Sequence, residues 1–182
     1  MRVSFVFLSL IGVAACGGSG SSVTDVGPDA TGGSTHATVA FDDLPSQTTI
    51  TSQYAAMLTF SSTTGIQITA EDHIDIGQSK PNYVSAGSES DVDHPMFVAF
   101  TRPVHGLSFH ALGVTDTGTV AHIRVYKGSD LAGTENLIGR GDSYTPVPVD
   151  LSSYSNITRI EVDDITDEYG IVYDDFAFDQ DD

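Results

Sequence analysis

From Ala37 onward, apolar and polar residues alternate in short runs separated by turn residues. That period of two is the mark of half-buried strands. The clearest run is Val120-Ala121-His122-Ile123-Arg124-Val125-Tyr126. Ala121, Ile123 and Val125 share one face; His122, Arg124 and Tyr126 share the other. Gly128-Ser129-Asp130 then predicts a turn. Leu107 to Ala111, Val147 to Leu151 and Ile157 to Val162 alternate likewise, with Ile160 and Val162 inward. Met96 to Phe100 is more continuously apolar, as expected of a central strand. Val39 to Phe41, Leu58 to Phe60, Gly65 to Ile68 and Ile171 to Phe178 complete the set. Pro146 and Pro148 place their strand at a sheet edge, because proline cannot donate to a ladder. No window carries a helical stripe, and Ser52 to Met57 allows one turn at most. Eight to ten short strands predict an all-β fold: an antiparallel β-sandwich of jelly-roll type over residues 37–182, ending in a short acidic tail.

The first residues follow another pattern. Met1-Arg2 precedes an apolar run, Val3 to Val13, too short to span a bilayer as a mature helix. Val13-Ala14-Ala15-Cys16-Gly17 follows, and this stretch resembles the bacterial lipobox. The resemblance implies a signal peptide over 1–15, cleaved before a diacylglycerol-bearing Cys16. The acyl chains would tie the protein to a lipid bilayer, each buried CH₂ contributing about 0.8 kcal/mol. Gly17 is not the aspartate that retains enteric lipoproteins at the inner membrane, so the outer membrane or cell surface is expected. Residues 16–36 are rich in Gly, Ser, Thr and Asp without apolar periodicity. They read as a flexible tether, about 25 Å long in root-mean-square terms.

Composition narrows the function classes. The 182 residues hold 25 acidic and 7 basic side chains, a formal charge of −18. Phosphate neutralisation needs a basic patch, so nucleic acid is excluded as a partner. The single cysteine lies at the expected lipid site, leaving none for a disulfide in the sandwich. The core must hold the domain, and a metal is a candidate for a further staple.

Two acidic pairs suggest that metal. The first strand runs into Asp42-Asp43, and the last contains Asp174-Asp175. Asp174 shares the parity of Val172, Phe176 and Phe178, so it is a carboxylate on a core face. Such a group is costly unless paired, hydrogen-bonded or metal-bound. First and last strands are neighbours in a jelly roll, which would bring Asp42 or Asp43 near Asp174. Carboxylates with loop carbonyls are the hard oxygen set that Ca²⁺ prefers. The plainer alternative is that Asp174 and Asp175 bond backbone amides at the strand.

A wider resemblance follows from ordered motifs. They are Phe41-Asp42-Asp43-Leu44-Pro45, Ile50 to Ala55, Leu58-Thr59-Phe60, Ser79 to Val84, Phe100 to Val104, Leu151 to Ile160 and Tyr173-Asp174-Asp175-Phe176. Over Val39 to Phe178 the chain resembles exported bacterial domains similar to calcium-stabilised carbohydrate-binding modules. The resemblance implies Asp42 and Asp174 as the first Ca²⁺ ligands, with Asp43 and Asp175 next. It departs from the pattern in lacking a C-terminal sorting segment, for which the Cys16 lipid would substitute.

The remaining chemistry is sparse. Sugar binding needs aromatic platforms, and without tryptophan only tyrosines 83, 126, 144, 154 and 169 qualify. Tyr126, outward beside His122 and Arg124, marks the expected ligand-binding face. Glu71 with Asp72, or Glu161 with Asp163, could be imagined as a glycosidase pair, but that chemistry needs carboxylates set across a cleft. His110 and His122 are expected on adjacent strands, near enough for a surface zinc site. Arg140-Gly141-Asp142 and Gly141-Asp142-Ser143 match short motifs that arise often by chance. The expectation is a non-catalytic, membrane-anchored surface binding or adhesion module with glycan as its ligand. A structural envelope lipoprotein binding protein partners is the second reading, and a hydrolase the third.

Overall fold

The computed structural model describes residues 33–63, 65–72, 82–86, 94–142, 145–164 and 170–181. The expected signal peptide, Cys16, most of the expected tether, His73, Ser79 to Pro81, Ser143, Tyr144 and Tyr169 lie outside the described residues. Eleven strands carry the fold, all paired antiparallel, with no helix among the described residues. They are β1 (Ser34–Val39), β2 (Thr48–Thr49), β3 (Leu58–Ser61), β4 (Ile68–Asp72), β5 (Asn82–Ala86) and β6 (Met96–Leu112), followed by β7 (Thr117–Lys127), β8 (Asp130–Arg140), β9 (Val147–Asp150), β10 (Ile157–Asp164) and β11 (Val172–Asp181).

Strand β6 belongs to both layers of the sandwich. Its first half, Met96 to Phe100, pairs with β3 and β10, and β10 continues to β7 and β8. Its second half pairs with β11 and β9, and β11 continues to β5, β4 and β2. Between the halves come Pro103 and Gly106, the latter at φ 62. A left-handed residue there lets the strand turn from one sheet into the other. First and last strands are neighbours, Ser34 to Val39 running against Asp181 to Phe176, as expected of the jelly roll. Ser34 to His36, expected in the tether, are part of β1 and pair with β11.

The inward rows meet in one core. Phe41, Phe60, Phe109 and Phe176 form an aromatic cluster, with Phe176 5.4 Å from Phe60 and stacked 4.9 Å from Phe109. Burying each such side chain contributes about 1.5–3 kcal/mol. In β7, Ala121, Ile123 and Val125 are buried as their parity requires, and His122, Arg124 and Tyr126 face outward. Strand β9, with Pro148, pairs among the described residues with β6 alone and so closes an edge.

Candidate functional site

The acidic pairs sit where two backbone irregularities face each other. After β1 the chain reverses at Phe41, φ 57, which buries the phenyl ring and turns Asp42 and Asp43 outward. The Leu44 amide donates to the Phe41 carbonyl at 3.1 Å, closing the turn. Asn82, at the start of β5, clamps it: its side-chain amide donates to the carbonyls of Phe41 and Leu44. The Asn82 backbone N–H reaches Asp42 at 3.4 Å. On β11 the register shifts after Asp174, and Asp175 takes φ 54.

Asp174 is fully buried, on the core face that its parity predicts. It accepts the Asp175 N–H at 2.8 Å. Asp175 lies 3.3 Å from Nδ1 of His110. Asp43 accepts the Tyr54 hydroxyl, and burial together with that carboxylate pushes the phenol far up. The Asp42 residue is exposed, but partial burial of its carboxyl raises its pKa, as do the charges of Asp175 and Asp43, against the lowering bond from Asn82.

Does this set fit Ca²⁺? Its donors are carboxylates, backbone carbonyls and one amide oxygen, all hard. Asn82 Oδ1 is buried and has no hydrogen-bond partner, which a cation would supply. Among the described residues, no group of three His, Cys, Asp or Glu is arranged to hold an ion. The donor types fit calcium, and the Asn82 backbone N–H already reaches the Asp42 carboxylate.

The outward residues of β7 do come together. Across from them on β10 stand Arg159, Glu161 and Asp163, in register with Tyr126, Arg124 and His122. The polar ends are bonded to one another. Arg124 lies 3.0 Å from Asp163 and 3.6 Å from Glu161, and the Tyr126 hydroxyl donates to Glu161 at 2.7 Å. That bond, before burial, raises the Tyr126 pKa. The Arg159 guanidinium lies 4.0 Å over the Tyr126 ring, a cation–π contact covering one ring face. Nδ1 of His122 meets Asn136 at 2.8 Å. Glu161 and Asp163 lie side by side on one strand, tied to Arg124, and not across a cleft. His110 and His122 are not neighbours: β10 separates β6 from β7, and His110 lies in the half of β6 that has entered the other sheet. The expectation of adjacent strands failed because β6 runs on through both layers.

A further surface had no mark in the sequence pattern. Edges β8 and β9 leave one flank of the sandwich open as a groove of about 320 Å³. Ile123, Leu137, Val147 and Val149 form its apolar floor. Glu135, Asn136, Arg140 and Asp150 supply its polar rim. Glu135 accepts the Tyr154 hydroxyl at 2.7 Å, which raises the Tyr154 pKa. Asp150 accepts the Ser152 N–H at 2.9 Å, and its bonds to Ser152 hold its carboxyl below the ordinary range.

No family model matches the chain, and no curated protein matches it. Solved structures do. The chain is similar to the K2 cleaved adhesin domain of Lys-gingipain, with a TM-score of 0.53 and 13% identity over 79% of this chain and 97% of that one. That likeness shows a shared β-sandwich fold. A looser likeness is to a family 35 carbohydrate-binding module from Clostridium thermocellum, with a TM-score of 0.41 and 11% identity over 78% of this chain and 97% of that one.

Proposed function

We propose that this protein is a non-catalytic surface binding module, stapled by Ca²⁺ at Asp42, Asp175 and Asn82, with the buried Asp174 orienting Asp175 through its backbone N–H, and moored to a bilayer through lipidated Cys16. Its ligand is glycan, held in the flank groove between β8 and β9. The observation that carries this reading is the groove itself: an apolar floor with carboxylate, amide and guanidinium groups around it. A sugar ring presents a C–H face and a girdle of hydroxyls, and this arrangement offers a partner to both. The β7–β10 face is a weaker candidate, because the Arg159 guanidinium already covers one face of the Tyr126 ring, its aromatic platform. A glycan array probed with the full chain in calcium tests the proposal. Binding to a related set of glycans is expected; silence across the array would overturn it.

A second reading has its own observation. Leu131 and Ile138, the exposed large hydrophobics among the described residues, both lie on β8, whose outer edge is unpaired. An unpaired apolar edge can accept a strand from a protein partner.

A further inference from the structure

On either side of the groove the inward face of β8 is covered by other parts of the chain, at two glycines. The inward row of β8 is Gly133, Glu135, Leu137 and Gly139, by its pairing with Val125, Ile123, Ala121 and Gly118. At Gly133 the space of a side chain is taken by Tyr154: a Cβ there would meet the Tyr154 hydroxyl at 2.3 Å. The same hydroxyl bonds Glu135, which fixes the ring across that end. At Gly139 a Cβ would meet the Asp116 carbonyl at 2.2 Å and Val120 at 2.8 Å. The bond from the Gly141 N–H to that carbonyl, at 2.9 Å, pins this second wall.

The glycines are six positions apart, a span of about 20 Å at roughly 3.4 Å per residue, from which both coverings take their own thickness. The volume is at the small end of the ~300–1,000 Å³ usual for ligand pockets. A polysaccharide lying lengthwise along the flank would strike Tyr154 at one end and the 114–120 segment at the other. The open direction is sideways, into solvent. Resting on the glycan reading above, we infer that the groove recognises the terminal sugars of a glycan, entering end-on, with the rest of the chain pointing away. Arg140, Glu135 and Asp150 would then read hydroxyls of the terminal residues only. Tyr154 is a positioning residue that sets the length of the site.

An array that prints the same sugars at chain ends and at internal positions tests this with the full chain. Bound glycans should share a terminal unit whatever precedes it, and capping that unit with one further sugar should abolish binding. Tyr154→Ala should admit capped or internal units, whereas Tyr154→Phe, which keeps the wall and loses the bond to Glu135, should not. Wild-type hits that share an internal motif and survive capping would overturn the inference while leaving glycan binding intact. That readout stands even if Tyr154→Ala fails to fold. A gain of internal binding in Tyr154→Phe, or none in a folded Tyr154→Ala, would overturn the role of Tyr154. A silent array would remove the glycan reading and this inference with it.

Discussion

Removing calcium should lower the melting temperature, and Asp174→Ala should abolish that dependence. A cation bound only by the native state, at about 100 times its dissociation constant, stabilises by about 2.7 kcal/mol. For a domain of this size each kcal/mol moves the melt by roughly 2–4 °C, so chelation should lower it by about 5–10 °C. Asp174→Ala has its own cost. It removes a fully buried acceptor bonded to the Asp175 N–H, a charge-assisted bond worth about 1.5–3 kcal/mol. The variant is therefore less stable with or without metal, and the diagnostic quantity is its response to calcium. Asp42→Asn, at an exposed residue, isolates the same response with less damage to the core. The assay is calorimetry of the full chain and both variants, in calcium and in chelator. Acidity gives a second axis. The folded pKa of Asp42 is raised by partial burial of its carboxyl first, then by the charges of Asp175 and Asp43. A raised folded value favours the protonated fold. In the chelated protein the contribution of Asp42 should thus be fully present below the ordinary carboxylate range and be lost as pH rises through its raised folded value. The calcium-dependent shift should grow across the same window. Equal melts with and without calcium, or an undiminished shift in both variants, would refute the reasoning.

Phe176→Ala should cost about 3–5 kcal/mol in denaturant unfolding, because the ring is fully buried among Phe41, Phe60 and Phe109. Arg124→Ala should cost under about 1 kcal/mol in the same assay, since its ion pairs with Glu161 and Asp163 are partly exposed and screened. Cys16→Ser should move the protein from the membrane fraction to the soluble exported fraction, read by detergent partitioning of cells expressing the full chain.

Some of this was legible in the sequence for definite physical reasons. The alternation in β7 gave its two faces, because a strand half in water writes its burial at every second residue. The parity of Asp174 among Phe176 and Phe178 marked a buried carboxylate, and Pro148 marked an edge. Strand β8 escaped notice because it is exposed on nearly all sides: of its eleven residues only Leu137 and Gly139 are buried, so no period appears. The groove that β8 helps to form was invisible for the same reason. Asn82 was missed as a member of the acidic site because nothing local distinguishes it. Its role depends on β5 meeting the 41–44 turn, a contact between distant parts of the chain. Tyr126, Arg124 and His122 were correctly placed on one outward face. Their bonding to Glu161, Asp163 and Asn136 required the register of three strands, which spacing alone does not supply.

The groove as the binding surface is tested most directly by calorimetric titration of an array-positive glycan into the full chain and into Asp150→Ala, Glu135→Gln and Arg124→Ala. The account predicts that affinity falls at least tenfold in the two groove variants and is kept in Arg124→Ala. Loss in Arg124→Ala with wild-type affinity in both groove variants would contradict it and place the ligand on the β7–β10 face.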